Sequence, residues 1–414
     1  MSSLLSYLSA GYPALLRIIS PFNEKAKAFL DTRKNIIADL EAWRNQNQGD
    51  LTWFHCASLG EFEMARPLME LIKDNKKTDL ILVTFFSPSG YEHRKNDSLC
   101  DGVFYLPFDG PTAPQQFIKV VQPNLAYFVK YEFWPGYIMV LNKANIPVIL
   151  VNGIFRPSQI FFKWYDIGMK RLLKKFAHIF VQYEPSALLL EKHGVQHVTV
   201  SGDLRFDRVS QMADKAIDYP FIKSFCDKGF TLVGGSTWQQ EEEILADVLS
   251  YFSRSAHKVN LLLVPHDISG QHIHKIERLF SDFHHVRLSA ASETSLASAN
   301  VLIVDSIGKL ASSYRYADVA IIGGGFTGNL HNILESLVHG VPVFFGPNTN
   351  KFPEASYFMQ EGAAAAIEST KGLIEQLEKL IENPEKLEEM RIISQSKTAN
   401  MKGAAQKVFD EIYG

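Results

Sequence analysis

With 414 residues, 46% of them hydrophobic and 21% charged, the chain has the make-up of an ordinary soluble globular protein, and its length favours two domains of roughly 200 residues each. A formal net charge of −3 gives no global case for nucleic-acid binding, so charge has to be read locally. Three scattered cysteines, Cys56, Cys100 and Cys226, form no C-x-x-C pair; they argue against a disulfide framework or a zinc ribbon and fit a reducing compartment.

Residues 1–16 carry no charged side chain and are largely apolar, but Gly11, Pro13, Arg17 and Pro21 interrupt the stretch. A spanning helix needs about 20 apolar residues, and the basic start of a secretory signal is missing. An amphipathic helix with Lys25, Lys27, Arg33 and Lys34 is expected from about Asn23 to Trp43. Together these read as a membrane-associating segment, residues 1–45, lying in the interface. The alternative is a helix that packs on the body of the domain.

From residue 46 a β/α rhythm begins. The runs 52–57, 80–86, 103–107, 125–129, 148–152, 179–182 and 198–201 are short and mostly continuous in apolar residues. That pattern predicts parallel strands covered on both faces. After the first run, Ser58-Leu59-Gly60-Glu61 opens a helix expected to reach about Lys73. A carboxylate at Glu61 could take a proton from an acceptor hydroxyl, or it could simply answer the helix dipole. Lys130-Tyr131-Glu132-Phe133-Trp134-Pro135 follows the fourth run. A lysine and a glutamate among aromatics suit a sugar-binding wall, with a structural ion pair as the other reading. Residues 156–175 hold six cationic side chains against Asp166 alone, interleaved with Phe161, Phe162, Trp164 and Tyr165. Arg156, Lys163, Trp164, Lys170, Arg171 and Lys174 are therefore candidates for an outward surface that meets an anionic membrane or a phosphorylated lipid, unless the run is only a solvated basic helix. Ser201-Gly202-Asp203-Leu204-Arg205-Phe206-Asp207 closes the series. Arg205 could grip a phosphate or carboxylate with two bonds, or pair with Asp203 or Asp207.

The first domain is taken as residues 46–210, with a seam between Asp207 and Gly229. In the second domain, residues 225–395, the runs are 230–234, 260–264, 301–305, 319–322, 341–345 and 363–367. Two successive β/α series imply two doubly wound, Rossmann-like domains facing across a cleft, with ligands at the carboxyl ends of the strands. No internal repeat is seen. Gly234-Gly235-Ser236-Thr237 resembles a phosphate-cradling turn before a helix, with Ser236 and Thr237 as donors or plain caps. His266 follows Pro265 at the end of the next run and could contact a nucleotide. Gly323, Gly325 and Gly328 match G-x-G-x-x-G, but after a late strand and with no acid about 20 residues on, so a dinucleotide site is rejected. What is expected instead is a backbone open to close approach by a ligand, then a helix start for an anion, with Glu335 on ribose hydroxyls or as a buried cap. One amphipathic helical stretch is expected from Pro384 to Tyr413, its end, residues 396–414, a candidate to cross back over the seam.

Taken together, the motifs resemble the Kdo (3-deoxy-D-manno-octulosonic acid) transferases of lipopolysaccharide assembly. Ser58 to Glu61 looks like that family's S-V-G-E, Glu132 to Pro135 like its E-L-W-P, Gly202 to Asp207 like its G-S-L-K-F-D, and the stretch through His331, Asn332 and Glu335 like its G-G-H-N-P-L-E. The resemblance implies an α/β, GT-B architecture and an inverting reaction with neither metal nor cofactor. CMP-Kdo would be the donor and a lipid A precursor the acceptor, at the cytoplasmic face of the inner membrane. By motif position Glu61 would be the general base, and Glu132 and Arg205 would stabilise the transition state. CMP would lie against Pro265 and His266, Ile307, Gly308 and Lys309, and Asn332, Ile333, Leu334 and Glu335. Arg205 stands where lysine is usual, His266 for an arginine, Lys309 for a glutamate, Asn329 and Leu330 for glycines, and Ile333 for a proline. Two rivals share the sequence features in part: a GT-B-type sugar-nucleotide epimerase, and a membrane-associated nucleotide-sugar sensor without catalysis.

Overall fold

The computed structural model describes residue 16 and residues 18–76, 79–166 and 168–414. The apolar N-terminal stretch expected in the membrane interface falls almost wholly outside them. Among the described residues no helix is long and apolar enough to cross a membrane. The chain divides into two compact units, one of Met1–Arg208 with Lys402–Gly414, the other of Val209–Met401.

The first unit is built on seven parallel strands, β1 (Leu51–Cys56), β2 (Leu80–Phe85), β3 (Gly102–Tyr105), β4 (Leu125–Val129), β5 (Val148–Gly153), β6 (His178–Val181) and β7 (Val198–Val200), in the order β3-β2-β1-β4-β5-β6-β7. Every residue of β1, β4 and β5 is buried, the signature of a sheet covered on both faces. Alternation sends Leu51, Trp53, Ala126 and Phe128 into one core and Phe54, Cys56, Tyr127 and Val129 into another.

The helix expected between Asn23 and Trp43 is two helices, Glu24–Asp31 and Ile36–Gln46. Arg33, one of the basic residues of the expected amphipathic helix, is buried where the two helices join. Its guanidinium lies 4.1 Å from the Phe29 ring centre and 4.6 Å from that of Tyr105, and Nε donates to the Leu106 carbonyl at 3.0 Å. The second helix packs on the body of the unit: Ile36 and Leu40 join the core, and Trp43 fills the space that Gly102 leaves open. The expected single C-terminal helix also divides, into Pro384–Asn400 and Ala404–Tyr413, around Gly403 at φ +101°. Asp207 accepts from the backbone N–H of Gly403 at 2.7 Å and of Ala405 at 3.2 Å, capping the last helix. That helix places Ala404, Ala405 and Val408 in the first unit's second core.

The second unit repeats the design with β8 (Phe230–Thr237), β9 (Val259–Pro265), β10 (His285–Arg287), β11 (Val301–Ile303), β12 (Val319–Ile322), β13 (Val343–Phe345) and β14 (Ala364–Ala366), in the order β10-β11-β9-β8-β12-β13-β14. Strand β10 was not expected. It is three residues at a sheet edge, pairs only with β11, and has one buried residue, Val286, between polar ones, so no apolar run announces it.

Candidate active site

A doubly wound sheet opens a crevice where neighbouring strands send their loops to opposite sides. In the first unit that point lies between β1 and β4. Glu61 follows β1 and Glu132 follows β4, so topology brings the two carboxylates to one crevice although they are far apart in sequence. Burial first, then the charge of Glu61 and more weakly that of Glu132, pushes the nearby Cys56 thiol well up, leaving it a neutral core residue.

Ser58 caps the helix Leu59–Asn75, and Glu61 reaches back to it in a reciprocal capping box. The Ser58 N–H donates to Glu61 Oε2 at 3.0 Å, and the Ser58 hydroxyl donates to the same oxygen. The carboxylate stays half-buried at the crevice. The capping role is therefore real, and it falls on a single oxygen.

Beyond β4 the backbone turns left-handed at Lys130, φ +64°, which throws Glu132 and Trp134 over the strand end. Glu132 Oε2 lies 3.2 Å from His55 Nε2 and accepts from Trp134 Nε1 at 2.6 Å. The helix Pro135–Lys143 begins at once, and the Asp109 carboxylate accepts from the Gly136 N–H at 3.0 Å, where any side chain would collide with it. His55 and Asp109 were not singled out from the sequence. The one signal for His55 is a histidine inside an otherwise apolar strand.

Arg205 opens the helix Leu204–Asp214, whose first N–H is held by Asn152 Oδ1 at 3.0 Å at the end of β5. Its guanidinium meets Asp203, Nε at 2.9 Å and Nη2 at 2.6 Å from Oδ2. Of the pairings open in the sequence, the structure contains the one with Asp203.

The basic-aromatic run 156–175 is not one outward helix. Phe161 turns into the core, Phe162 packs on Phe155, and the described residues form a 3-10 turn at Ile160–Phe162 and the short helix Met169–Leu173, with Leu172 and Leu173 buried. Trp164, 94% exposed, and Tyr165, 53%, do face solvent. Arg171 and Lys174 are exposed as well, while Arg156, Lys163 and Lys170 are half-buried.

In the second unit the switch point lies between β8 and β12. The expected phosphate turn is in fact strand: β8 runs through Thr237, with a bulge at Ser236, φ +51°. Thr237 is buried and its hydroxyl donates to Glu242 at 3.2 Å. The helix begins only at Gln239. Nor are Gly323, Gly324 and Gly325 left open for a ligand, whereas a side chain at Gly328, at φ +73°, would meet nothing nearer than the Asn348 carbonyl at 3.7 Å. A side chain at Gly323 would strike the Ser236 carbonyl, one at Gly324 that of Asn329, and one at Gly325 the backbone of Gly346. The helix after the loop, Leu334–Leu337, is a single turn, too short for much of a dipole.

What the strand ends do assemble is an aromatic stack. Trp238 and His266 lie ring on ring at 4.3 Å, His266 and His331 at 4.7 Å, and Trp238 Nε1 donates to His331 Nε2 at 3.3 Å. Burial, then the charge of His266, pulls the His331 imidazole down to about 4. Glu241 ties this stack to the glycine loop by accepting from the Trp238 N–H at 3.1 Å and the Gly324 N–H at 2.9 Å. Asn332 donates to Glu335 at 3.1 Å. Ile307 is 81% exposed and Gly308 has open space, while the Lys309 ammonium lies 5.6 Å from the Tyr219 ring centre. Pro265, Ile333 and Leu334, expected against CMP, are buried. Among the described residues no group of three or more His, Cys, Asp or Glu could hold a metal ion.

Comparison with known proteins adds to this geometry. A family model described as 3-deoxy-D-manno-octulosonic-acid transferase (kdotransferase) matches residues 31–208. The 3-deoxy-D-manno-octulosonic acid transferase of Aquifex aeolicus is 30% identical over 336 residues, covering 80% of this chain and 85% of that protein. The enzyme of the same name from Haemophilus influenzae is 26% identical over 379 residues, 86% and 85% of the two chains. Among solved structures, UDP-GlcNAc 2-epimerase from Neisseria meningitidis superimposes with a TM-score of 0.61 at 17% identity, over 87% of this chain and 98% of the other. MurG from Acinetobacter baumannii gives 0.56 at 14% identity, over 88% and 99%. These two likenesses give the fold class, GT-B.

Proposed function

The chain belongs to the 3-deoxy-D-manno-octulosonic acid transferase family, and we propose that it moves Kdo from CMP-Kdo to a hydroxyl of a lipid A precursor, with inversion and without a metal. The observation that carries this reading is the placement of Glu61 and Glu132 after the two strands that flank the first unit's switch point. Glu61 spends one oxygen on its cap, and the other is the atom to meet the acceptor hydroxyl. That hydroxyl oxygen attacks the anomeric carbon of Kdo while its proton passes to Glu61. The bond from that carbon to the phosphate breaks and CMP departs. Glu132 faces positive charge developing on the sugar, and Arg205 faces negative charge on the departing phosphate. The stack of Trp238, His266 and His331, with Asn332 and Glu335, forms the wall for CMP. Trp164, Tyr165, Arg171 and Lys174 are the surface offered to the anionic lipids of the acceptor-bearing bilayer, and the reaction is read as taking place at the cytoplasmic face of the inner membrane.

The test is incubation with CMP-Kdo and a lipid A precursor, followed by mass spectrometry of the lipid. A mass gain of one or more Kdo units is expected, at a rate unchanged by a chelator. Glu61→Ala should bind CMP normally and form no product; a wild-type rate in that variant removes the base role. Tight CMP binding by the wild type with no lipid product would favour a sensor.

A further inference from the structure

Glu132 is met by a chain of hydrogen bonds that begins in the hydrophobic core of the first unit. Trp53 Nε1–H can only donate, and it donates to Thr84 Oγ1 at 2.8 Å. Thr84 Oγ1 lies 2.9 Å from His55 Nδ1, and Trp53, Thr84 and His55 are all fully buried. With its oxygen already accepting from the tryptophan, the Thr84 hydroxyl has its own proton to place, and His55 Nδ1 is the acceptor within reach. Nδ1 must then be bare, and the ring proton sits on Nε2, aimed at Glu132 Oε2. The other arrangement has Nδ1–H donating to the Thr84 carbonyl at 3.1 Å. It would strand the buried hydroxyl proton and set an Nε2 lone pair against a carboxylate, both costly away from water.

We propose that His55 is a positioning residue for Glu132, locked in its Nε2–H form by the relay Trp53 to Thr84 to His55. This rests on the transferase reading for what Glu132 does, but not for the relay itself. With Trp134 donating to the same oxygen, two donors fix the rotation of the carboxylate about its side chain. The Trp134 ring is braced in turn by Phe86 at 4.9 Å and by His55, set near perpendicular to it, at 5.5 Å. The carboxylate is thus pre-set at the strand end before any substrate arrives, which is how a site avoids reorganising during reaction.

NMR of the ring nitrogens in isotope-labelled, full-length protein reads the tautomer without any substrate. The wild type should show a neutral His55 protonated on Nε2, and Thr84→Val, which removes the hydroxyl donor to Nδ1, should weaken that preference and give a mixture of the two tautomers. An Nδ1–H ring or a charged imidazolium in the wild type overturns the relay. In the transfer assay His55→Asn, which reaches Thr84 but not Glu132, should lower kcat by up to about 10²-fold, with KM for both substrates little changed. His55→Gln, whose amide reaches the Nε2 position, should recover most of that loss. Equal kcat in His55→Asn and wild type, or His55→Gln no better than His55→Asn, overturns the positioning role. If the wild type itself forms no Kdo product, the transferase reading falls, while the relay is still decided by the ring-nitrogen spectrum.

Discussion

Arg205 carries a fork where the resembled motif carries a point charge. Its Nε and Nη2 both bond Asp203 Oδ2, a grip that a lysine ammonium cannot reproduce. Arg205→Lys is expected to keep the charge and loosen the hold, costing roughly tenfold in transfer rate, whereas Arg205→Ala should cost about 10²-fold or more. Steady-state kinetics on a lipid acceptor would check this; equal losses would make the fork, not the charge, the essential feature. His331 offers a second residue-scale outcome. Its folded-state value, held down to about 4 chiefly by burial, lies below that of an unfolded histidine. Between about 4 and 6.5 the unfolded chain therefore binds the extra proton, and stability rises with pH across that window, being fully present above it. Urea unfolding at several pH values should show His331→Gln with a flatter acid limb than the wild type. Glu61 and Glu132 were legible as candidates because each is an acid just past an apolar run. His55 was not, because its meaning depends on Thr84 and Glu132, 29 and 77 residues away along the chain.

Elements repeat the lesson at larger size. Continuous apolar runs marked the strands of both sheets, except for β10, because a covered parallel strand has no solvent face to break its pattern. The helix break around Arg33 was invisible because neither proline nor glycine marks it, and the one at Gly403 was passed over although its glycine stood there. The glycine loop misled for a different reason. A glycine says that something comes close, not whether it is ligand or chain, and here Ser236, Asn329 and Gly346 supply it. Glu241 is the brace between that loop and the helix Gln239–Phe252. Burial pushes its carboxyl up, with the Trp238 and Gly324 N–H groups pulling the other way. In Glu241→Gln one backbone N–H would face an amide NH2, so a loss of about 1–3 kcal/mol is expected. Chemical denaturation would measure it, and calorimetry should show weaker CMP binding as the stack loosens.

On the scale of the whole molecule, two sheets of one design were readable from the restart of the β/α rhythm. The return of the chain was legible only as a candidate crossing by residues 396–414, without its exact start. The chain leaves the first unit after Arg208 and re-enters it at Lys402, a return fixed by Asp207 and the buried Ala404, Ala405 and Val408. Asp207→Ala should remove the cap of the last helix and cost about 1–2 kcal/mol, seen as a lower midpoint in thermal unfolding. The same return carries a consequence for synthesis. The first sheet emerges from the ribosome with one face, including Phe54, Tyr127 and Phe180, still lacking its final cover, and must wait in that sticky condition while the entire second unit is translated. Stalled nascent chains ending before Lys402 should therefore recruit chaperones and yield to protease at this face, and protection should appear abruptly once the last helix clears the exit tunnel.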